Sequence, residues 1–311
     1  MPGGVTVGLN GSPESFAAVN WAAKEAVLRE VPLRIIHVQD RPVPPEDVQH
    51  VAPWPPASAP ASEPKGSPGF ERMLEAASAE AEHAHPGLAV SAKNVSGMGL
   101  ASKALLAEAG TPGSMDLLVL GSQGLDRIAG FVVGTTSLPV AAAAPCPVVL
   151  VRGGKTARGE QEPHIKHPPG QLLLGVDIRR SEADESLLGF GFSEAARRHC
   201  RLRIVHAWAL PPTYAHAQTT DPGLGNELAD RIVQALEQAV KPWRQRFPEV
   251  TAQVGVVMGA PGAELVYTSS DADLVIVGRR ERPFAVGPRL GHVAHAVIHH
   301  AASPVAIVPH P

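Results

Sequence analysis

The strongest constraint on what this chain can fold into is that it repeats itself. Leu33-Arg34-Ile35-Ile36-His37-Val38 returns as Leu202-Arg203-Ile204-Val205-His206-Ala207, and Asp116-Leu117-Leu118-Val119-Leu120-Gly121 returns as Asp273-Leu274-Val275-Ile276-Val277-Gly278. Pro147-Val148-Val149-Leu150-Val151 has its counterpart in Pro304-Val305-Ala306-Ile307-Val308, and Val7-Gly8-Leu9-Asn10 in Leu174-Gly175-Val176-Asp177. The copies keep their order and lie about half a chain apart, far beyond the period of a solenoid. They specify a duplicated domain, which also suits 311 residues, a length above that of a typical single domain.

Within each copy, short apolar runs alternate with segments of helical spacing. In the first, strands are expected over residues 5–10, 33–38, 88–95, 117–120 and 148–151, with helices over 16–29, 70–85, 100–109 and 135–143. Ser12 before Pro13 is a helix start, with the serine as N-cap and proline at the first helical position. The second copy repeats the order, with strands over 172–177, 202–208, 251–257, 274–277 and 305–308 and helices over 182–199, 226–247, 262–270 and 292–300. Strand–helix alternation implies right-handed crossovers and a parallel sheet. Ala, Val and Leu dominate the 44% of hydrophobic residues, as suits helices covering such a sheet on both faces. Residues 1–153 and 171–311 form the two expected domains. The Pro-, Ala- and Ser-rich stretch 41–69 reads as an irregular insertion, and 154–170, with almost nothing apolar, as the linker.

Several function classes drop out. A formal net charge of −3 gives no electrostatic reason for binding nucleic acid or an anionic membrane. Residues 138–151 are the most apolar stretch, but Pro139, Pro145 and Pro147 break it far short of a membrane span. The N-terminus has no basic segment followed by an apolar core, and two cysteines make no disulfide framework, so a reducing cytoplasm is expected.

The chemistry concentrates in residues 121–137, which read GSQGLDRIAGFVVGTTS. A buried strand runs into Gly121, a loop carries Gly124, and Gly134 is followed by Thr135, Thr136 and Ser137. Glycines let backbone approach a ligand closely, and a helix start offers free N–H groups to an anion. We read the stretch as a phosphate cradle. In parallel α/β sheets ligands sit beyond the carboxyl ends of the strands, where the turn after Leu9 also lies.

These residues resemble the universal stress protein family, here in a tandem, two-domain form. Gly121, Gly124, Gly134 and Thr135 match the family's Gly-X2-Gly-X9-Gly-(Ser/Thr) fingerprint, flanked by the Gly11-Ser12-Pro13-Glu14-Ser15 turn and the Cys146-Pro147-Val148 closing strand. The resemblance implies two Rossmann-like domains, each a five-stranded parallel sheet flanked by helices, with ATP or a related adenine nucleotide, with or without Mg2+, at the strand ends of the first. It implies nucleotide contacts from Gly8, Asn10, Ser12, Val38, Gly97, Gly121, Gly124, Gly134, Thr135, Thr136 and Ser137. Val38 takes the adenine-contacting place at the end of the second strand, and Gly97 the glycine after the third. Asn10 stands where family members that bind ATP carry an acid, so hydrogen bonding is kept and charge is lost. The family's domains pair through the last strand, which implies a pseudo-dimer within one chain and allows two chains to associate further.

The second copy departs from the fingerprint. Asp177 restores the acid, and Gly278 and Gly291 hold their places, but Glu281 replaces the second loop glycine and His292 follows Gly291. A carboxylate in a phosphate loop repels phosphate, an effect that Arg279, Arg280, Arg282 and Arg289 would partly offset. This copy is expected to bind nucleotide weakly or not at all and to act as a packing partner.

Other motifs read more plainly. Ser12 and Ser15 form a helix cap, since the chain has no Gly-x-Ser-x-Gly elbow. Gly153-Gly154-Lys155-Thr156 is no Walker loop, because its first glycine would fall at Val149. His292, His295 and His299 form a partly exposed helix face without a cysteine or carboxylate to complete a metal site. Cys146 is a buried packing thiol, and Cys200, between His199 and Arg201, is the more reactive one. No catalytic base, arginine finger or magnesium-binding acid emerges from spacing. A nucleotide-dependent regulator of assembly or partner contacts is therefore expected ahead of a slow ATPase or a nucleotide-free scaffold.

Overall fold

The computed structural model describes residues 3–41, 68–98, 100–122, 135–153, 170–178, 185–208, 224–281 and 290–311. Residues 42–67 of the insertion, 154–169 of the linker and the loop residues 123–134 and 282–289, Gly124 and Gly134 among them, lie outside the described residues; Arg41 ends the second strand, and Pro68 and Gly69 open the next helix.

The first half runs β1 (Gly4–Gly8), α1 (Pro13–Arg29), β2 (Leu33–Arg41), α2 (Pro68–Ala84), β3 (Val90–Met98), α3 (Ala101–Ala109), β4 (Met115–Ser122), α4 (Ser137–Ala143) and β5 (Val148–Arg152). The second runs β6 (Gln171–Gly175), α5 (Glu185–Arg198), β7 (Arg201–Trp208), α6 (Leu224–Arg246), β8 (Ala252–Met258), α7 (Pro261–Thr268), a 3-10 turn (Ser269–Asp271), β9 (Leu274–Arg280), α8 (His292–His300) and β10 (Val305–His310). Both halves have the expected Rossmann-like order, a five-stranded parallel sheet flanked by helices. Ser12 caps α1, its Oγ accepting the Ser15 N–H at 3.2 Å, with Pro13 opening the helix.

The halves do not form two sheets. The ten strands among the described residues form one, in the order β3-β2-β1-β4-β5-β10-β9-β6-β7-β8. Strands within each half are parallel, and the seam between β5 and β10 is antiparallel, Val305 opposite Leu150, Ala306 opposite Val149 and Ile307 opposite Val148. Exchanging each residue for its counterpart in the other copy reproduces the same pairs, so the seam is self-complementary. It also removes two apolar sheet edges that would otherwise expose unpaired backbone.

Alternation along the strands divides the core into two layers. One face carries Val5, Val7, Leu117 and Val119 of the first half, and Leu172, Leu174 and Ile276 of the second, beneath α1, α2, α5 and α6. The opposite face carries Leu118, Leu120, Val148 and Leu150, with Leu173, Val275 and Ile307, beneath α3, α4, α7 and α8. Both layers run unbroken across the seam.

Candidate functional site

A cavity of about 90 Å3 opens at the carboxyl ends of β1, β2 and β4. β1 and the turn after it supply Gly8, Leu9 and Asn10, β2 supplies Ile36 and Val38, and β4 supplies Leu120 and Gly121. Ser12 and Ser15 come from the start of α1, Ala101 and Leu105 from α3, and Thr136 and Ser137 from the start of α4. Of the residues expected at the site, Gly8, Asn10, Ser12, Val38, Gly121, Thr136 and Ser137 thus come together. Thr135 is an exposed turn residue, and Gly124 and Gly134 lie outside the described residues.

Two placements correct the sequence reading. β2 continues to Arg41, so Val38 lines the cavity from within the strand rather than at its end. Gly97 does not follow the third strand but lies inside β3, opposite Asp40. In both cases β2 and β3 pair in parallel register through Arg41 and Met98, so backbone pairing carries the strands past the apolar run. The expected helix from residue 135 begins instead at Ser137.

The polar groups at the mouth are arranged by one another. Asn10 Oδ1 accepts the Ser12 N–H at 3.1 Å, a turn mimic that leaves its side-chain N–H2 free of that bond. Ser15 Oγ donates to the Ser12 carbonyl at 2.8 Å. Ser137 Oγ donates to the Gly121 carbonyl at 2.9 Å and so ties α4 to the end of β4. Gly121 is required by close approach: a Cβ there would sit 2.6 Å from the carbonyl carbon of Glu14 and 2.7 Å from the nitrogen of Ser15. Gly8 likewise leaves room for Leu120, which a Cβ would meet at 2.7 Å.

One supporting residue escaped the sequence reading. His37, 5% exposed, places Nδ1 2.8 Å from the Leu9 carbonyl and stacks on Phe70 with ring centroids 4.4 Å apart. Since a carbonyl only accepts, Nδ1 carries the proton and pins the backbone beside Asn10. His206 does the same for the Val176 carbonyl, beside Asp177, at 2.9 Å. The signal was present, because this histidine recurs in both copies of the second strand.

At the corresponding place in the second half the geometry differs. Leu265 crowds the strand-end glycine, with a Cβ on Gly175 meeting its Cδ1 at 2.6 Å, whereas Leu105 stays 3.9 Å from the equivalent point on Gly8. His310 lies against Gly278, where a Cβ would meet its Nε2 at 2.7 Å. Arg279 is buried and pairs with Glu281 as expected, while also donating to the Ala144 carbonyl across the seam at 2.5 Å. Glu281 lies 3.6 Å from its Nη2 and is half exposed.

The thiols also differ from expectation. Burial pushes both up to about 11, and for Cys200 it outweighs the opposing pull of Arg198, so the basic neighbour expected to activate it does not lower it. His295 and His299 lie with their Nε2 atoms 3.3 Å apart, and among the described residues no group of three or more His, Cys, Asp or Glu could hold a metal ion. Also among them, no helix is long and apolar enough to cross a membrane.

Comparison with known proteins agrees with this architecture. The model of the universal stress protein family matches residues 3–152 and again 170–309. Universal stress protein Rv2005c of Mycobacterium tuberculosis is 30% identical over 311 residues, covering 98% of this chain and 96% of its own. Universal stress protein Rv2623 of the same organism is 29% identical over 313 residues, covering 98% and 95%. Among solved structures, a universal stress protein from Archaeoglobus fulgidus superposes with a TM-score of 0.57 at 13% identity, covering 98% of both chains, a likeness of fold.

Proposed function

The chain belongs to the universal stress protein family, and from that premise we propose that its first half binds ATP or a related adenine nucleotide and that occupancy regulates assembly or partner contacts. One observation carries the reading: strand-end glycines, Asn10, Ser12, Thr136 and Ser137 converge on a single cavity, directly before and after the loop that holds Gly124 and Gly134. Ile36, Val38, Leu105 and Leu120 offer an apolar wall for a purine. The Asn10 amide suits sugar hydroxyls, and the glycine loop, Thr135, Thr136 and Ser137 suit phosphates. Bound metal, if the nucleotide carries Mg2+, would arrive with the phosphates.

Binding is preferred to turnover because residue spacing assigns no catalytic base, arginine finger or magnesium-binding acid for phosphoryl transfer. The second half, with Leu265 over Gly175, His310 against Gly278 and Glu281 in the loop, acts as the packing partner. Residues 1–153 and 171–311 then serve as the two domains of a pseudo-dimer joined through β5 and β10.

Mass spectrometry of ligand released from the purified protein, followed by calorimetric titration with ATP, tests this. A co-purified adenine nucleotide, lost in Gly134→Asp, is expected. Protein that releases no nucleotide and takes up no ATP would overturn it.

A further inference from the structure

The halves also meet through their first helices, α1 and α5. Glu25 and Glu194, each 1% exposed, are bridged by Arg29 and Arg198. Arg29 bonds both glutamates at 2.5 Å, and Arg198 bonds both in turn. Each arginine lies over an aromatic ring of the opposite half, Arg29 over Phe190 at 5.9 Å and Arg198 over Trp21 at 6.0 Å. The duplication explains the pattern: Trp21, Glu25 and Arg29 occupy the spacing of Phe190, Glu194 and Arg198. Two acids against two bases leave this twofold ring electrically balanced.

Arg197 breaks that symmetry. Its counterpart on α1 is Leu28, an exposed aliphatic residue, yet Arg197 adds a third guanidinium, its Nη1 2.6 Å from Glu194 Oε1. Three arginines now face two glutamates, and the surplus cation keeps 38% of its side chain exposed. That exposed part lines an open groove of about 420 Å3 along α5, bounded by Pro145, Pro147 and Pro309 at the seam and floored by Phe190. Ser186 and Ser193 also line it, one turn apart from Phe190 on either side, and neither hydroxyl makes a hydrogen bond among the described residues. On α1 the places of Ser186, Gly189, Phe190 and Ser193 hold Ala17, Asn20, Trp21 and Lys24, so the groove's chemistry belongs to this side of the twofold axis and not to the fold.

We infer that this groove is a second binding site, for a phosphate monoester carried on a flat aromatic or heteroaromatic ring. The phosphate takes the open edge of Arg197 and the hydroxyls of Ser186 and Ser193, a charge-assisted donor set that suits its geometry. Phe190 and the three prolines cover the ring. Because the groove is built from both halves, a ligand there also holds them together. The site is independent of the nucleotide cavity, which lies at the strand ends.

The test is calorimetric titration of the full-length protein with phenyl phosphate, beside inorganic phosphate and phenol. Saturable binding of phenyl phosphate is expected, at least tenfold weaker in Arg197→Gln and in Ser193→Leu, which fills the groove. Inorganic phosphate should bind more weakly than phenyl phosphate, and phenol not measurably. Thermal melting confirms that both variants fold, and binding should be unchanged in Gly134→Asp and in excess ATP. Absence of saturation overturns the proposal, as do equal affinity in Arg197→Gln, inorganic phosphate binding as tightly as the ester, or displacement by ATP. Apart from displacement by ATP, none of these results bears on whether the first half binds nucleotide.

Discussion

Replacing Gly121 with alanine tests how the cavity is built. The new methyl would lie 2.6 Å from the carbonyl carbon of Glu14 and 2.7 Å from the Ser15 nitrogen, both backbone atoms in the first turn of α1. Ordinary contact begins near 3.4 Å, so the end of β4 and the start of α1 must part by about 0.8 Å. Backbone cannot rotate out of the way as a side chain can, so overpacking should cost about 1–3 kcal/mol. That is a fall in melting temperature of about 2–4 °C for each kcal/mol. The displaced turn carries Ser12 and Ser15, so ATP affinity should also fall at least tenfold. Gly278→Ala is the matched control: there the methyl meets the imidazole of His310 and, at 3.3 Å, a methyl of Leu187, side-chain ends that can yield. Differential scanning fluorimetry and calorimetric ATP titration on both variants decide the matter. The reasoning fails if Gly121→Ala melts and binds like the parent, or if Gly278→Ala costs as much.

Glu194→Gln leaves buried guanidiniums short of a counter-charge and should cost about 3–5 kcal/mol in urea unfolding. Arg197→Gln, at an exposed position, should cost under about 1 kcal/mol, and a comparable loss for both would contradict the balanced-ring description. With Cys146 and Cys200 both pushed up to about 11, alkylation by iodoacetamide at pH 8 should be far slower than for a free thiol; fast labelling of either would refute their burial. His299 and His310 are held below the ordinary value of 6.5, by burial first and, for His299, by the charges of His295, His300 and Arg152. Keeping them neutral contributes stability that is complete above 6.5 and lost as pH falls through their folded values, because the unfolded chain then binds more protons. Melting temperature should therefore drop between pH 7 and 5, and His299→Gln should flatten that slope.

Much of the fold was legible because it rests on local periodicity. Strand alternation, the Ser12-Pro13 cap and the Ala-rich face of α1 are written in neighbouring residues, and each strand found its place to within a few positions. Errors fall where pairing overrides composition. β2 and β3 run past their apolar cores to Arg41 and Met98 because each supplies the other's hydrogen bonds, which moved Val38 and Gly97 relative to the strand ends. The cavity's glycines, Asn10 and hydroxyls could be listed from spacing. His37 was overlooked because its partner is a backbone carbonyl, which leaves no trace in the identity of residue 9.

The chain by itself determined that there are two copies of one α/β unit, and that only the first keeps an intact glycine loop. Duplication and loop chemistry are properties of residue order. Tertiary structure alone decided that the copies share one ten-stranded sheet, that Glu25 and Arg29 close a ring with Glu194 and Arg198, and that Arg279, beside Glu281, also reaches the Ala144 carbonyl across the seam. The physical reason is common to all three. An unpaired edge or a buried charge must find a partner, and a linear sequence shows the need without showing which distant group will meet it.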